Sequence, residues 1–447
     1  MLSYISVDGF KSLTEFALTL LPGLNVFVGP NGSGKTNIIS FFGFLGDLQR
    51  MSVSNAICNA GGAGSVFTKI GEDKYRADMA CCVSGNIRLA KRRFIFYRYT
   101  FSIVIRDSLE TISYRSQRLE AKYCTVMTRF DKIPKGMDLD IELTHGEEGK
   151  QPVTSIYALD RRKIRSRYGY LARRSGKITK AEGHAQIAEI LTEQVGVDES
   201  LINGLRFVFD QSRIIYSDLL GGQAFNIVPS SVRTPEDSAK TPGISSDGAG
   251  LYATLYAIKK RERPGPRRRL LFNYRDSLGF MPRTTLSSIL KYTQLANESI
   301  EKIDVVNNPF DNQLQVRVWI EGDIESTVLP LSAMSDGTIK WLSLVTIILT
   351  ARSIYSIEEP ENYLHPLMQT EILKVMRSNL HHDGFILLST HSETLLNNAT
   401  PEEVVIVDFK GGRTIARRPG NTEDICKEIQ ETGFGLGYYY ITGSLDE

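Results

Sequence analysis

The sequence has few cysteines and no long uncharged hydrophobic run. Its five cysteines in 447 residues are an odd number, are scattered and lack the spacing of metal ligands. This excludes a disulfide-stapled fold and favours reduced thiols. The longest nearly uncharged apolar stretch, from Trp341 to Ala351, has 11 residues and is too short to cross a bilayer. The first residues also lack the basic segment and apolar core of a signal peptide. We therefore expect a cytoplasmic protein that does not span a membrane.

Neither sign of charge dominates, since 53 basic and 51 acidic residues leave a net charge of +2. The distribution is nevertheless uneven. Residues 161–180 hold nine basic and no acidic side chains, and residues 259–269 hold seven basic and one acidic. An otherwise acidic chain with two basic segments is the pattern expected of a contact with DNA or another polyanion. Solvated arginines, or pairing with an acidic protein partner, explain the same pattern and stay open at this stage.

The composition, 42% hydrophobic and 23% charged, is that of a globular protein, and the length allows two to four domains. Hydrophobic periodicity predicts strands at Leu2–Val7, Leu24–Val28, within Phe94–Ile112, at 302–330, 354–358 and 385–389, and helices at 35–49, Lys180–Gln194 and 337–352. We expect an α/β fold of three parts: residues 1–120, a basic and partly helical insertion over residues 121–230, and residues 231–447.

A phosphate-binding loop is the strongest signal in the sequence. Gly29-Pro-Asn-Gly-Ser-Gly-Lys-Thr36 matches G-x-x-x-x-G-K-[ST] at every position, between a short apolar strand and a helical pattern. Glycines let successive backbone N–H groups converge on a phosphate, and the helix N-terminus adds its positive dipole end. We expect Lys35 to reach the β- and γ-phosphates of ATP and Thr36 to ligate Mg²⁺. Further contacts with the nucleotide are expected from Asn31, Gly32, Ser33, Gly34 and Asn37.

Two adjacent acids end a buried strand nearer the C-terminus, in Ser353-Ile-Tyr-Ser-Ile-Glu-Glu-Pro-Glu361. Because the same chain carries a phosphate loop, we expect Glu358 to bind Mg²⁺, directly or through water. Glu359 is expected to act as a general base or to position the attacking water. A solvated strand end is the alternative interpretation of such a pair.

A histidine follows the next buried strand, in Phe385-Ile-Leu-Leu-Ser-Thr-His-Ser392. We expect His391 to hydrogen-bond the γ-phosphate or to orient the water, although a structural histidine gives the same pattern. His381 and His382 lie in a polar stretch and are expected to be exposed. His365 precedes a proline and is expected to shape the start of a helix rather than to bind a metal.

A second candidate anion site lies in Leu331-Ser-Ala-Met-Ser-Asp-Gly-Thr-Ile-Lys340, which leads into an apolar helix. A Ser-x-Gly turn at a helix N-terminus is suited to an anion. We expect Ser335 and Gly337 to contact the γ-phosphate that is held by a second copy of the chain. A helix N-cap formed by Ser335 or Asp336 is compatible with the same residues.

In this order, the motifs resemble the ABC-type ATPase heads of the SMC/RecF kind. Within these, they resemble the OLD-like AAA ATPases, such as the ATPase parts of the Gabija, Septu and PARIS anti-phage systems. The resemblance covers both ends of the chain and is carried by Val7–Leu13, the phosphate loop (Walker A), Ser246–Leu251, the Ser-Asp-Gly-Thr signature, Ile357–Pro366, Ser389–Ser392 and Gly435–Tyr440. It implies a bilobed P-loop head: the N-terminal lobe carries Walker A, and the C-terminal lobe carries the signature, Walker B and the H-loop.

The resemblance also implies that Lys11 reaches the bound nucleotide. The sequence departs from the pattern at two places. SMC-like heads usually carry Asp where Glu358 stands, and the signature lacks the second glycine of the Leu-Ser-Gly-Gly form. The glutamine of the Q-loop stays unassigned among Gln117, Gln211 and Gln223.

The function implied by the resemblance is ATP hydrolysis by an ATP-sandwiched dimer or larger homo-oligomer. OLD-family nucleases append a Toprim domain to the ATPase, and the 56 residues after His391 are too few for one. We therefore expect the ATPase to act as sensor and gate for a separate effector protein, a toxin or nuclease, in anti-phage defence. Two alternatives stay open: a RecF/SMC-like DNA-repair clamp, and a nucleotide-locked scaffold with little turnover.

Overall fold

A computed structural model describes residues 1–106, 111–129, 132, 134–145, 152–159, 180–262, 284–350, 354–380 and 384–445. These residues divide into two units. The first unit comprises the described residues of Met1–Gln223, His382–Phe385 and Val405–Arg418, and the second comprises those of Ala224–His381, Ile386–Val404 and Pro419–Glu447. The basic segments 161–180 and 259–269 lie outside the described residues except at their edges, as do His381 and His382.

The strands and helices follow each other in a mixed order. In chain order the strands are β1 (Leu2–Asp8), β2 (Phe16–Thr19), β3 (Gly23–Val28), β4 (Lys69–Gly71), β5 (Lys74–Tyr75), β6 (Asp78–Ala90), β7 (Arg93–Arg106), β8 (Thr111–Cys124), β9 (Leu139–Thr144), β10 (Val153–Leu159), β11 (Gln223–Phe225), β12 (Glu236–Asp237), β13 (Ile300–Asn308), β14 (Gln313–Ile320), β15 (Thr327–Pro330), β16 (Ile354–Glu358), β17 (Phe385–Thr390), β18 (Val404–Lys410) and β19 (Arg413–Arg417). The helices are α1 (Lys35–Arg50), α2 (Val53–Asn59), α3 (Ala63–Val66), α4 (Lys180–Gln194), α5 (Leu201–Leu205), α6 (Asp210–Leu219), α7 (Pro229–Arg233), α8 (Leu251–Glu262), α9 (Thr285–Gln294), α10 (Asp336–Thr350), α11 (Pro366–Asn379), α12 (Glu393–Asn397), α13 (Thr422–Thr432) and α14 (Leu436–Ile441), with a 3₁₀ turn at Leu331–Ala333.

The first unit is built on an antiparallel seven-stranded sheet with the strand order β10-β9-β8-β7-β6-β1-β2. Aromatic and β-branched residues dominate β7, and such residues favour extended backbone. The buried rings of Tyr99, Phe101 and Tyr114 pack against each other in its core. Gln117 belongs to this core, where it accepts from the Tyr99 hydroxyl at 2.6 Å. The segment 121–230 contains strands β9, β10 and β11 as well as helices α4, α5 and α6.

Helix α1 packs against Phe10 and Phe385 of the first unit through its phenylalanines. The rings of Phe41 and Phe44 lie 5.4 and 5.3 Å from the ring of Phe10, and Phe42 meets Phe385 edge to face. Strand β3 is buried along almost its whole length and is a neighbour of β18, which pairs with β19. A buried strand that leads straight into a helix places the connecting loop at the strand's carboxyl end, where ligands bind in α/β sheets.

The second unit contains a smaller antiparallel sheet, β12-β14-β13 with β15 paired to β14. It also contains β16 and, from Ile386 onward, the neighbouring strand β17. The apolar helix α10 is buried from Thr338 to Ile348, which explains its nearly continuous hydrophobic sequence. The strands predicted at 302–330, 354–358 and 385–389 and the helix predicted at 337–352 are confirmed to within two residues. Within the described ranges, no helix is both long and apolar enough to cross a membrane.

Candidate functional site

The phosphate loop of the first unit connects β3 to α1, as the motif requires. Gly32 and Gly34 have φ values of +79° and +103°, which only glycine adopts without strain. A Cβ atom at Gly34 would overlap the Thr414 side chain, and one at Gly29 would overlap the carbonyl oxygen of Val407. Glycine is therefore needed here for close packing as well as for backbone conformation.

Side chains from the start and the end of the chain hold this loop. The Thr414 hydroxyl donates to the Ser33 carbonyl at 3.1 Å and lies 2.6 Å from the Ser12 hydroxyl. Asn37, on the first turn of α1, donates to the same Ser12 oxygen at 2.7 Å. These bonds fix where the helix begins relative to β19.

The two lysines expected at the nucleotide both lie beside α1. Lys35 is 6% exposed, and its ammonium group donates to the carbonyls of Gly29 and Pro30 at 2.8 and 3.1 Å. Lys11 has a φ of +48° and donates to the Ser40 hydroxyl at 3.1 Å. The first unit thus brings both cations to the helix that follows the phosphate loop.

The residues of the loop fit ATP and Mg²⁺. In the part of the chain that the structure describes, no side chain caps α1 at Gly34, so the N–H groups of its first turn can receive an anion. Thr36 is exposed at the same turn. Lys35 lines the loop from within and can exchange its carbonyl acceptors for phosphate oxygens without leaving the loop.

The acidic turn, which we define as Glu358–Leu364, begins at the last residue of β16 in the second unit. Glu359 has a φ of +43°, and its backbone N–H donates to the Ser389 carbonyl of β17 at 3.0 Å. Asn362 donates to Glu359 Oε2 at 2.9 Å, and His391 Nε2 lies 3.8 Å from Glu359 Oε1. The structure therefore brings together the predicted water-positioning acid and the predicted histidine.

A third carboxylate, Glu361, belongs to the same turn and was not predicted as a site residue. Its Oε1 accepts from the Thr390 hydroxyl and from the His391 backbone N–H, both at 2.8 Å. Glu361 is visible in the sequence pattern Glu-Glu-Pro-Glu, but its partners at the end of β17 are 29 and 30 positions away. The local pattern therefore does not show its role.

The signature residues begin α10. The Ser335 hydroxyl accepts from the Thr338 N–H at 3.2 Å, so the helix N-cap proposed as an alternative for Ser335 is confirmed. Gly337 lies against the acidic turn, where a Cβ would come within 2.8 Å of the Tyr363 carbonyl oxygen. His365 caps α11 by accepting from the Leu367 N–H, as expected for a histidine that shapes a helix start.

Two basic residues tie the segment before α8 to the signature. Arg233 donates to the carbonyls of Ser332 and Met334 and to the Asp336 carboxylate, the last two at 2.9 and 2.6 Å.

Lys340 is fully buried and donates to the Ile227 carbonyl at 3.0 Å. Burial lowers the pKa of Lys340 to about 8, while the negative charges of Glu361 and Glu359 act against this lowering. Neither residue was predicted, because the partners of Arg233 and Lys340 lie about 100 or more positions away.

A cluster of basic side chains, which we call the basic tip, lies at one end of the seven-stranded sheet. Pairing of Phe94 with Cys124 sets the β6–β7 turn beside the end of β8. The Arg93 guanidinium lies 5.3 Å from the Tyr123 ring centroid. The members of the tip are Arg88, Lys91, Arg92, Arg93, Lys122, Arg129, Lys132 and Lys135. Sequence reasoning missed it because the residues are dispersed over nearly 50 positions.

All five cysteines are free thiols. Within the described residues, no group of three or more His, Cys, Asp and Glu side chains is arranged to hold a metal ion.

Comparisons with known proteins agree with an ATPase domain. Residues 138–397 match the family described as "AAA domain, putative AbiEii toxin, Type IV TA system", and residues 4–80 match a second AAA domain family. The DNA replication and repair protein RecF of Clavibacter michiganensis is 38% identical over 66 residues, which is 14% of this chain and 16% of the relative. RecF of Renibacterium salmoninarum is 43% identical over 53 residues, 12% of this chain and 13% of the relative. The chain thus matches at most about a sixth of the length of these relatives.

Among solved structures, the SMC head bound to the C-winged helix domain of ScpA is similar over 95% of this chain and 99% of that one, with 12% identity and a TM-score of 0.48. An SMC head domain bound to the C-terminal domain of ScpA, derived from Pyrococcus furiosus, covers 97% and 99% with 13% identity and a TM-score of 0.43. The first family model spans more than half of the chain. The chain, an α/β P-loop protein, therefore belongs to this family of AAA domains.

Proposed function

We propose that this protein binds ATP with Mg²⁺ and hydrolyses it. The observation that carries the proposal is the glycine cradle at the start of α1, with Lys35 inside it and no side chain of the described residues capping the helix. Lys35 and the first-turn N–H groups would hold the phosphates, and Asn31, Gly32, Ser33, Gly34, Asn37 and Lys11 would complete the contacts. Thr36 and Glu358 would hold Mg²⁺, which neutralises phosphate charge when bound.

The residues of the acidic turn would act on the attacking water. Glu359 is the candidate to accept its proton or to position it, and His391 would orient the water or the γ-phosphate from 3.8 Å away. The hydrogen bond from Asn362 holds one oxygen of Glu359 and leaves the other facing the histidine. This arrangement supports hydrolysis over binding alone.

We propose further that ATP joins two copies of the chain, with Ser335 and Gly337 of one copy contacting the γ-phosphate held by the other. The assembly would sense a trigger and gate a separate toxin or nuclease in anti-phage defence. The family description, which names a putative toxin and a toxin–antitoxin system, supports a link to toxicity.

The basic tip favours a second candidate function, a RecF-like clamp on DNA. The basic side chains of the tip, with Arg93 beside the ring of Tyr123, suit the phosphate backbone of a nucleic acid. The relatives named as DNA replication and repair proteins support this candidate over a short stretch of the chain.

Phosphate release by the purified protein with ATP and Mg²⁺ tests the proposed function. We expect wild-type turnover, loss of ATP binding in Lys35→Ala, and a fall of about 100-fold or more in turnover in Glu359→Gln with ATP binding retained. Glu428→Gln, at an exposed position of α13, is the matched control. Unaltered turnover in Glu359→Gln contradicts its role, whereas a wild type that binds ATP without turnover is a scaffold.

The clamp is tested by DNA binding at several salt concentrations. Reversal of charge at Lys91, Arg92 and Arg93 to Glu should weaken binding and lower the salt slope by about one per lost phosphate contact. The same reversal at Lys69 and Lys74, which are exposed in the same unit, should leave the DNA affinity and the salt slope unchanged. Equal effects of the two sets of variants would contradict the tip as the binding surface.

A further inference from the structure

We infer that Glu361 is a positioning residue for ATP hydrolysis, which holds His391 in place relative to Glu359. This inference rests on the proposed function and deepens it. Glu361 lies two residues after Glu359 in the acidic turn but takes its contacts from the end of the neighbouring strand β17.

The contacts of Glu361 are made to the point where β17 ends. Its Oε1 accepts from the Thr390 hydroxyl and from the backbone N–H of His391, both at 2.8 Å. Hydrogen bonds to an ionised carboxylate are shorter and stronger than those to a neutral acceptor. One carboxylate oxygen therefore sets where the main chain of His391 leaves the sheet, and with it the origin of the imidazole side chain.

Glu359 is fixed to the same strand by a separate bond. Its own N–H donates to the Ser389 carbonyl at 3.0 Å, and Asn362 holds its Oε2 at 2.9 Å. The two strand ends are thus joined twice, once through Ser389 and once through Glu361. The resulting frame places His391 Nε2 at 3.8 Å from Glu359 Oε1, so that loss of either link would change this separation.

The other oxygen of Glu361 explains why a carboxylate is suited to this position. Oε2 is buried and has no hydrogen-bond partner among the described residues. The nearby cation is the fully buried Lys340, whose charged form is favoured by Glu361 more than by Glu359. The charge of Glu361 thus favours the charged form of Lys340, while its Oε1 performs the positioning.

Two variants separate positioning from stability. Glu361→Gln keeps an oxygen that can accept from Thr390 and His391 but removes the charge that favours protonated Lys340. Glu361→Ala removes both. If Glu361 had a purely structural role, both variants would lose turnover and thermal stability together, because both lack the charge. If it positions His391, turnover falls in Glu361→Ala, which lacks the acceptor oxygen, and is kept in Glu361→Gln.

The experiment measures kcat and KM for ATP, and the thermal midpoint, in wild type, both Glu361 variants and the exposed control Glu428→Ala. We expect Glu361→Ala to lower kcat by about 10- to 100-fold, with KM for ATP within about twofold of wild type. Glu361→Gln should restore kcat to within about threefold of wild type, even where its thermal midpoint falls.

Three results would overturn the inference in distinguishable ways. Wild-type kcat in Glu361→Ala shows that His391 needs no such anchor. Equal losses of kcat in the Ala and Gln variants, in step with their thermal midpoints, show a structural role alone. A wild type without turnover overturns the proposed function itself, and the inference with it.

Discussion

At the scale of single residues, three of the seven described non-glycine residues with positive φ lie at the proposed site or in the acidic turn. Lys11, Glu359 and Tyr363 have φ values of +48°, +43° and +68°, a region that residues with a Cβ rarely adopt. Two of these three lie in the acidic turn. Such conformations cost free energy and persist only where surrounding contacts enforce them. At Glu359 the enforcing contact is the bond from its N–H to the Ser389 carbonyl.

The phosphate loop allows a sharp test of the glycine requirement. Gly412 has a φ of +78° with open space around it, whereas a Cβ at Gly34 meets the Thr414 side chain. Gly412→Ala should lower the free energy of unfolding by about 1–2 kcal/mol through backbone strain alone. Gly34→Ala should cost more and abolish ATP binding, because Thr414 must move. Denaturant titration and nucleotide binding measure both effects, and equal losses of stability would contradict the close packing.

Lys340 provides a prediction of pH dependence. Its pKa in the folded state, about 8, is below the usual 10.5, so the unfolded state binds more protons between these values and stability rises with pH. Relative to Lys340→Met, wild type should gain about 2 kcal/mol in the free energy of unfolding from pH 8 to pH 10. Urea titrations at several pH values measure the gain, with Lys427→Met, at an exposed site, as control. A constant difference between wild type and Lys340→Met would refute this prediction.

At the scale of elements, the start of α10 is organised by α7. Arg233 ends α7 and donates to the Ser332 and Met334 carbonyls and to Asp336. Ser335 lies between these acceptors and caps α10. Consequently the position of the signature serine depends on a residue that sequence motifs do not mark.

Arg233→Ala should release this loop. We expect faster amide hydrogen exchange over residues 332–338 and a loss of about 1 kcal/mol in the free energy of unfolding, since the ion pair is partly exposed. Lys374→Ala, which removes an exposed ion pair with Glu371, should leave exchange at 332–338 unchanged. Exchange that stays slow in Arg233→Ala would show that the N-cap alone holds the loop.

At the scale of the whole molecule, the proposed site residues belong to both units of the chain. The phosphate loop and Lys11 lie in the first unit, and the acidic turn, His391 and the signature lie in the second. If ATP joins two copies as proposed, slow hydrolysis should preserve the assembly.

Glu359→Gln should therefore at least double its solution mass in ATP and Mg²⁺ and return to the smaller mass without nucleotide. Light scattering after size-exclusion chromatography measures this change. The variants Lys35→Ala and Ser335→Arg should keep the smaller mass, because one lacks the phosphate contact and the other obstructs the proposed contact with the second copy. A mass that is independent of ATP in Glu359→Gln would contradict nucleotide-dependent association.

The sequence alone determined the local elements that carry the motifs. The phosphate loop, the acid pair after β16 and the histidine after β17 depend on a few adjacent residues, whose conformational preferences act over one turn or one strand. For this reason α1, α10, β16 and β17 were predicted to within two residues.

Only the tertiary structure decided which distant residues complete these elements. Thr414 packs on Gly34, Arg233 holds the Ser335 loop and Glu361 anchors His391. The basic tip likewise arises from the antiparallel register of β6, β7 and β8. Strand pairing and helix packing set these contacts across tens to hundreds of positions, a range over which local periodicity carries no information.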